Sequence, residues 1–337
     1  MPEPEDVLAV ARRIADEVLF PRALATDAAD VVPRDLLDVL ASAGFYGLGA
    51  PRDVGGLDVD HATYCAVVEA LSSGCLTTAF VWVQHQGAVR GVVNSPNPAI
   101  RERWLAPLCR GTVRAGLAGA AGAPLQGRQV EGGWLFSGTA LWVSGWGVID
   151  VMHAAARADA NRVVWGLIDP VECDRLQVSR LHLAALNATA TVTVEFRDYF
   201  VPNERVTGIV PPRSAADDLR ALRVHAAFAL GTVSRCCTLI GPSPLDADLA
   251  ECRAALDAAT ADSMPGARAA AARLAHQATG RLMVVTGSRA VLLDSQAQRL
   301  AREALFMLVY ALRPSVKAAL LEQLGGTGQC APGRSDT

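Results

Sequence analysis

The chain has 337 residues, 51% of them hydrophobic, and a formal net charge of −3 at pH 7. That is enough apolar material for a large core and enough length for two or three domains, which argues against a disordered or fibrous chain. Lysine and arginine are scattered without long basic runs, so neither a nucleic-acid surface nor an anionic membrane footprint is expected, and small molecules or proteins remain as partners.

The amino-terminal stretch Met1-Pro2-Glu3-Pro4-Glu5-Asp6 is acidic where a secretory signal would be basic, and no apolar run reaches the length of a membrane span. The expectation is a cytoplasmic protein. The eight cysteines form no CxxC pair and read as reduced, mostly buried thiols, with the vicinal Cys236 and Cys237 as core residues on a helix.

In chain order, residues 6–19 place Val7, Ala11, Ile14, Ala15 and Val18 on one stripe, the mark of an amphipathic helix. A second helix is expected from about Pro33 to Ala43, stopping at Gly44. A turn at Gly55-Gly56 leads to a helix through Tyr64, Val67 and Leu71, and another passes through Trp82, His85 and Val89. From about Gly116 the period changes from 3.6 to 2. Ala190, Val192, Val194 and Phe196 alternate with Thr189, Thr191, Thr193 and Glu195, as in a half-buried antiparallel strand. Val151 to Arg157 and Arg162 to Ile168 predict two more strands, joined by a four-residue hairpin loop at 158–161. After Pro211-Pro212 the helical period returns in alanine-rich stretches at about 216–240, 245–261, 266–286 and 297–312.

Within the β-rich middle, Gly132 to Ser144 joins a strand to a loop that presents Trp142 and Ser144 two residues apart. A flat redox ring needs a planar apolar wall and a hydrogen-bonding group near its reactive edge, and an indole beside a hydroxyl supplies both. The same residues also suit packing and turn roles, so the pair takes its meaning from its surroundings.

Those surroundings carry several short anchors in a fixed order: Gly47-Leu48-Gly49-Ala50-Pro51 with Gly55-Gly56, Glu69, Trp104-Leu105-Ala106-Pro107-Leu108 with Gly111, Trp142-Val143-Ser144, and Phe196 with Val201-Pro202. Arg223 with Gly231, Gly287, and Arg299-Leu300-Ala301-Arg302-Glu303-Ala304 follow. In this order the chain resembles the acyl-CoA dehydrogenase superfamily. The resemblance implies an α+β fold with an N-terminal α-helical domain (1–113), a middle antiparallel β domain (114–206) and a C-terminal helical bundle (207–337). It also implies FAD as cofactor, an acyl thioester or related small substrate, and a homodimer or tetramer. Trp142 would wall the isoalloxazine and Ser144, where the family usually has Thr, would bond its reactive edge. Thr189 and Thr191 match small hydroxyl residues of the family; as solvent-facing strand formers they read equally well.

The chain departs from the family at its chemistry. Counting from Arg302-Glu303-Ala304, the family's catalytic Glu falls on Ala311, and its alternative position falls on Leu222. The Thr-Glu and Gly-Ser-Asp elements before the Trp loop are replaced by Gly119-Ala120-Ala121-Gly122-Ala123-Pro124-Leu125, and the segment that reaches a neighbouring subunit's FAD by Gly241 to Asp246. The glycine pair beside the cofactor diphosphate becomes Gly287-Ser288-Arg289-Ala290, in which Arg289 offers a phosphate contact. Candidates for the missing base are His85, His225 and Tyr310, all able to exchange a proton. Two other readings stay open: a flavin monooxygenase of the same fold, and a catalytically silent subunit partnering an active homologue.

Overall fold

The computed structural model describes residues 4–119, 125–212 and 214–325. Residues 120–124 of the altered segment and residues 1–3 of the amino-terminal stretch lie outside them. The chain forms two compact units, Met1–Ser214 and Ala215–Thr337, so the expected helical and β domains share the first.

In the first unit, α1 (Pro4–Ile14) runs through a π-helical turn (Ala15–Leu19) into α2 (Phe20–Asp27). The predicted apolar stripe is buried at Val7, Ala11, Ile14 and Ala15, but the wider turn then brings Leu19 inward in place of Val18. Gly74, the last residue of α4 (His61–Gly74), sits against that turn: a Cβ there would lie 2.6 Å from the Ala15 carbonyl oxygen. Between them, α3 (Arg34–Ser42) ends where Gly44 turns left-handed at φ +76°. Next come α5 (Leu76–Val93), which is apolar nearly all round and therefore central, and α6 (Pro98–Arg110), begun by a proline in its first turn and capped by Asn97. Trp82 and Gln86 tie α5 to the Phe45 carbonyl by hydrogen bonds of 3.2 and 3.0 Å.

The sheet of this unit holds β1 (Ala115–Ala118), β2 (Leu125–Val130), β3 (Gly133–Val143), β4 (Val151–Arg157), β5 (Val163–Ile168), β6 (Leu176–Arg180), β7 (Val192–Pro202) and β8 (Val206–Val210), in the order β6-β7-β3-β2-β4-β5-β8 with β1 on β4. The predicted β4 and β5 pair as a hairpin. Two pairings correct the expectation of a purely antiparallel sheet: β1 and β2 both run parallel to β4. The long excursion through β3 and residues 144–150 makes this possible, because parallel neighbours need an extended return path. A second correction concerns Thr189–Phe196. The inward set Val192, Val194 and Phe196 is buried as expected, but the strand starts only at Val192. Residues Asn187–Thr189 form a 3-10 turn, and Thr189 and Thr191 are buried rather than facing solvent.

The second unit contains α7 (Ala215–Ile240), α8 (Pro244–Asp257), α9 (Met264–Thr286), a 3-10 turn (Gly287–Val291), α10 (Gln296–Val309) and α11 (Pro314–Gln323). Its alanines explain its packing: Ala226, Ala227 and Ala229 of α7 and Ala269, Ala271, Ala272 and Ala275 of α9 are fully buried, and such small side chains let the two helices approach closely. Cys236 and Cys237 are buried on α7. The predicted helix at 297–312 stops at Val309, where Tyr310 turns to an extended backbone and Ala311 adopts φ +50°. No described helix is long and apolar enough to cross a membrane.

Candidate functional site

The geometry around Trp142 comes from a β-bulge. Along β3, Ala140 pairs with Val194 and Val143 with Val192, so Leu141 and Trp142 together oppose Thr193 alone. Strict alternation would send Trp142 to the core beside Ala140. The extra residue instead turns both Leu141 and Trp142 outward, leaving the indole 55% exposed, and the left-handed backbone it needs falls on Trp142 itself at φ +62°. A non-glycine residue held there costs of order 1–3 kcal/mol, so the exposed indole is presented against a backbone preference.

Beneath this bulge three hydroxyls form a buried row. Ser144 Oγ lies 2.7 Å from Thr191 Oγ1, which lies 2.7 Å from Thr189 Oγ1, and Thr189 donates to the Leu186 carbonyl at 2.7 Å. The Gly145 amide donates to the Thr189 carbonyl at 2.7 Å, fastening the Trp loop to the same turn. Two left-handed non-glycine residues, Leu186 at φ +59° and Ala190 at φ +48°, flank Thr189 and fold both threonines inward. Ser144, Thr189 and Thr191, up to forty-seven positions apart, therefore meet through their hydroxyls, with Trp142 two residues before Ser144. The Leu186 carbonyl that ends the row had no sequence signal, since nothing in the alternation marks a leucine for a positive φ.

His85 is placed differently from the expectation of a base. It is buried on α5 with both ring nitrogens engaged: Nδ1 accepts from the Ala115 amide at 2.9 Å and Nε2 meets the Leu108 carbonyl at 3.1 Å. A nitrogen that accepts from an amide carries no proton, so the ring is the neutral Nε2–H tautomer. Burial pushes its pKa down to about 3. The Tyr46 ring closes over it edge-on at 4.6 Å. His85 joins α5, α6 and β1 as a structural bracket, with no lone pair left to take a proton from a substrate.

In the second unit, His225 of α7 and Tyr310, just past α10, meet edge to face with ring centroids 4.9 Å apart. Phe306 stacks on Tyr310 at 5.2 Å and Phe228 meets it at 6.0 Å. Under this group lies Arg268, a residue the sequence reading passed over: it is 1% exposed and donates through Nη2 to the Met307 carbonyl at 3.1 Å. Burial lowers its pKa to about 10, and the Tyr310 phenol opposes that shift. An arginine inside the alanine-rich run 267–272 is the signal that could have found it. Leu222 is buried and Arg223 pairs with Asp257 at 2.7 Å. Gly287, Ser288 and Arg289 stand exposed in the 3-10 turn after α9, where Gly287 takes φ +71°.

Residues 1–112 match the family model for the acyl-CoA dehydrogenase N-terminal domain. Over 201 residues the chain is 27% identical to benzylmalonyl-CoA dehydrogenase of Aromatoleum aromaticum, covering 57% of this chain and 53% of that protein. The matched part spans a little over half the length of such curated relatives. In fold it is similar to butyryl-CoA dehydrogenase from Megasphaera elsdenii, with a TM-score of 0.78 at 16% identity over 94% of this chain and 96% of that one. It is also similar to a structure described as PigA with FAD and proline, with a TM-score of 0.80 at 17% identity over 96% and 98% of the two chains. A helical N-terminal part, a central mixed sheet and a C-terminal helical bundle match the fold of acyl-CoA dehydrogenase structures, and residues 1–112 match the acyl-CoA dehydrogenase N-terminal domain; together these findings support membership of the acyl-CoA dehydrogenase superfamily.

Proposed function

We propose that the chain is a flavin-dependent oxidoreductase of acyl-CoA dehydrogenase type that uses FAD and acts on an acyl thioester or a related small substrate. One observation carries the reading: a bulge holds the Trp142 indole out of the core at the expense of a left-handed backbone, two residues before Ser144 of the buried Ser144–Thr191–Thr189 row. Packing alone gives no reason to expose that ring. An apolar plane next to a fixed hydroxyl oxygen matches what an isoalloxazine ring offers, a flat face and a polar reactive edge, so the residues present fit the cofactor. When bound, FAD supplies two-electron acceptance. Trp142 covers a ring face, Ser144 fixes its edge, and the threonines hold Ser144 in one rotamer.

With Ala311 and Leu222 unable to accept a proton, Tyr310 and His225, which meet edge to face, are the second unit's candidates for the base. Within the second unit, the exposed Gly287-Ser288-Arg289 turn offers Arg289 as a cation for a phosphate group. Exposed apolar residues of the second unit, Val284 at 81% and Leu293 at 87%, support assembly with a second copy or a homologous subunit.

Reconstitution with FAD tests the reading. The expected result is a yellow protein whose visible absorption bleaches on anaerobic addition of an acyl-CoA, with bleaching lost in Tyr310→Phe and binding lost in Trp142→Ala. The substitution of Ala311 for the family's acid favours a second reading, the silent subunit. Its result would be a protein that stays colourless after reconstitution and co-purifies with an active homologue.

A further inference from the structure

The hydroxyl row has a direction, and it follows from counting protons. A carbonyl oxygen can only accept, so the Thr189 proton is committed to Leu186. The 2.7 Å contact between Thr189 and Thr191 then has to be filled by the Thr191 proton, because Thr189 has none left. By the same step, the 2.7 Å contact between Thr191 and Ser144 is filled by the Ser144 proton. Three protons occupy three contacts, all pointing inward to Leu186. Ser144 consequently turns only lone pairs outward.

We infer that Ser144 is a hydrogen-bond acceptor toward the flavin edge and that the row biases the site to the reduced cofactor. This rests on the flavin reading above. An oxidised flavin carries a lone pair on its reactive ring nitrogen and calls for a donor there; the two-electron-reduced ring carries an N–H at that atom and calls for an acceptor. A row that ends on a backbone carbonyl satisfies the second and leaves the first facing another lone pair. The backbone enforces the choice, since Leu186 and Ala190 in left-handed conformation hold the Thr189 hydroxyl on that carbonyl, and the Gly145 amide holds the Trp loop on the same turn. Thr189, whose proton is committed to the Leu186 carbonyl, is the positioning residue that sets the polarity of Ser144.

The test is the midpoint potential of the FAD-reconstituted full chain, measured anaerobically for the wild type, Ser144→Ala, Thr189→Val and Thr189→Ser. Ser144→Ala removes an acceptor and is expected to lower the preference for reduced over oxidised FAD by about tenfold, which for a two-electron couple lowers the potential by about 30 mV. Thr189→Val, nearly the same shape, frees the Thr191 proton to point at Ser144 and the Ser144 proton to turn outward, so the potential should fall by at least as much. Thr189→Ser keeps the donor and should keep the wild-type value. A potential that rises in Ser144→Ala, or that stays unchanged, overturns the inference even if Thr189→Val fails to fold. A chain that binds FAD in neither redox state overturns the flavin reading and this inference with it, whereas a chain that binds both with the opposite sign overturns the polarity alone.

Discussion

The neutral bracket at His85 makes stability depend on pH in a way that can be worked out. The free imidazole has a pKa near 6.5, and in the folded chain burial lowers it to about 3. A depressed pKa in the folded state means the unfolded chain binds the proton first, so the stability is fully present above 6.5 and is lost as pH falls toward 3. At pH 5 the folded ring is still neutral while the unfolded ring is largely protonated. The cost at that pH is about 2 kcal/mol, and it changes little for any folded pKa below 4. Urea titrations of the wild type and of His85→Gln at pH 8 and pH 5 isolate it, because carboxylate titrations common to both chains cancel in the comparison. Glutamine can still donate to the Leu108 carbonyl but does not titrate. The wild type should lose about 2 kcal/mol more than the variant between the two pH values, and exchange of the Ala115 amide, which bonds Nδ1, should speed up in step. Equal losses in both chains, or an imidazole that titrates near 6.5 by NMR in the folded protein, would refute the reasoning and return His85 to the list of possible bases.

Further outcomes are expected elsewhere. His153 is buried with Nε2 2.9 Å from the Thr207 hydroxyl and is pushed down to about 3, so His153→Gln should remove a second pH-dependent loss of about 2 kcal/mol in the same assay. Gly74→Ala drives a Cβ to 2.6 Å from the Ala15 carbonyl oxygen, a contact backbone cannot relieve cheaply, and should lower stability by about 1–3 kcal/mol in a thermal melt. The ion pair of Arg299 and Glu303 on α10 is 1% and 2% exposed. Glu303→Gln should cost about 3 kcal/mol by leaving a buried cation, whereas Arg299→Met with Glu303→Leu should cost far less. At the bulge, Trp142→Gly should be more stable than Trp142→Ala by about 1 kcal/mol, because only glycine is at ease at φ +62°, and both should fail to bind FAD.

Much of this molecule was legible along the chain. The stripe on α1, the hairpin of β4 and β5, the buried face of β7 and the long alanine-rich helices all follow from local periodicity, since which face of a helix or strand meets the core is written in every third, fourth or second residue. Short-range patterns also marked Trp142 and Ser144 as an unusual pair. What they could not supply is direction. The bulge that turns Trp142 outward exists only because β7 supplies Thr193 opposite two residues of β3, and the polarity of Ser144 exists only because a carbonyl forty-two positions later accepts the last proton in the row. His85 shows the same limit from the other side: as a lone titratable group on an apolar helix it looked available, and the Ala115 amide and Leu108 carbonyl, remote in sequence, used up both of its nitrogens. Element types arise from interactions between near neighbours and so can be read from the residues in order. The protonation state and reach of a side chain depend on the donors and acceptors that close around it, and those are chosen by the packing of distant segments.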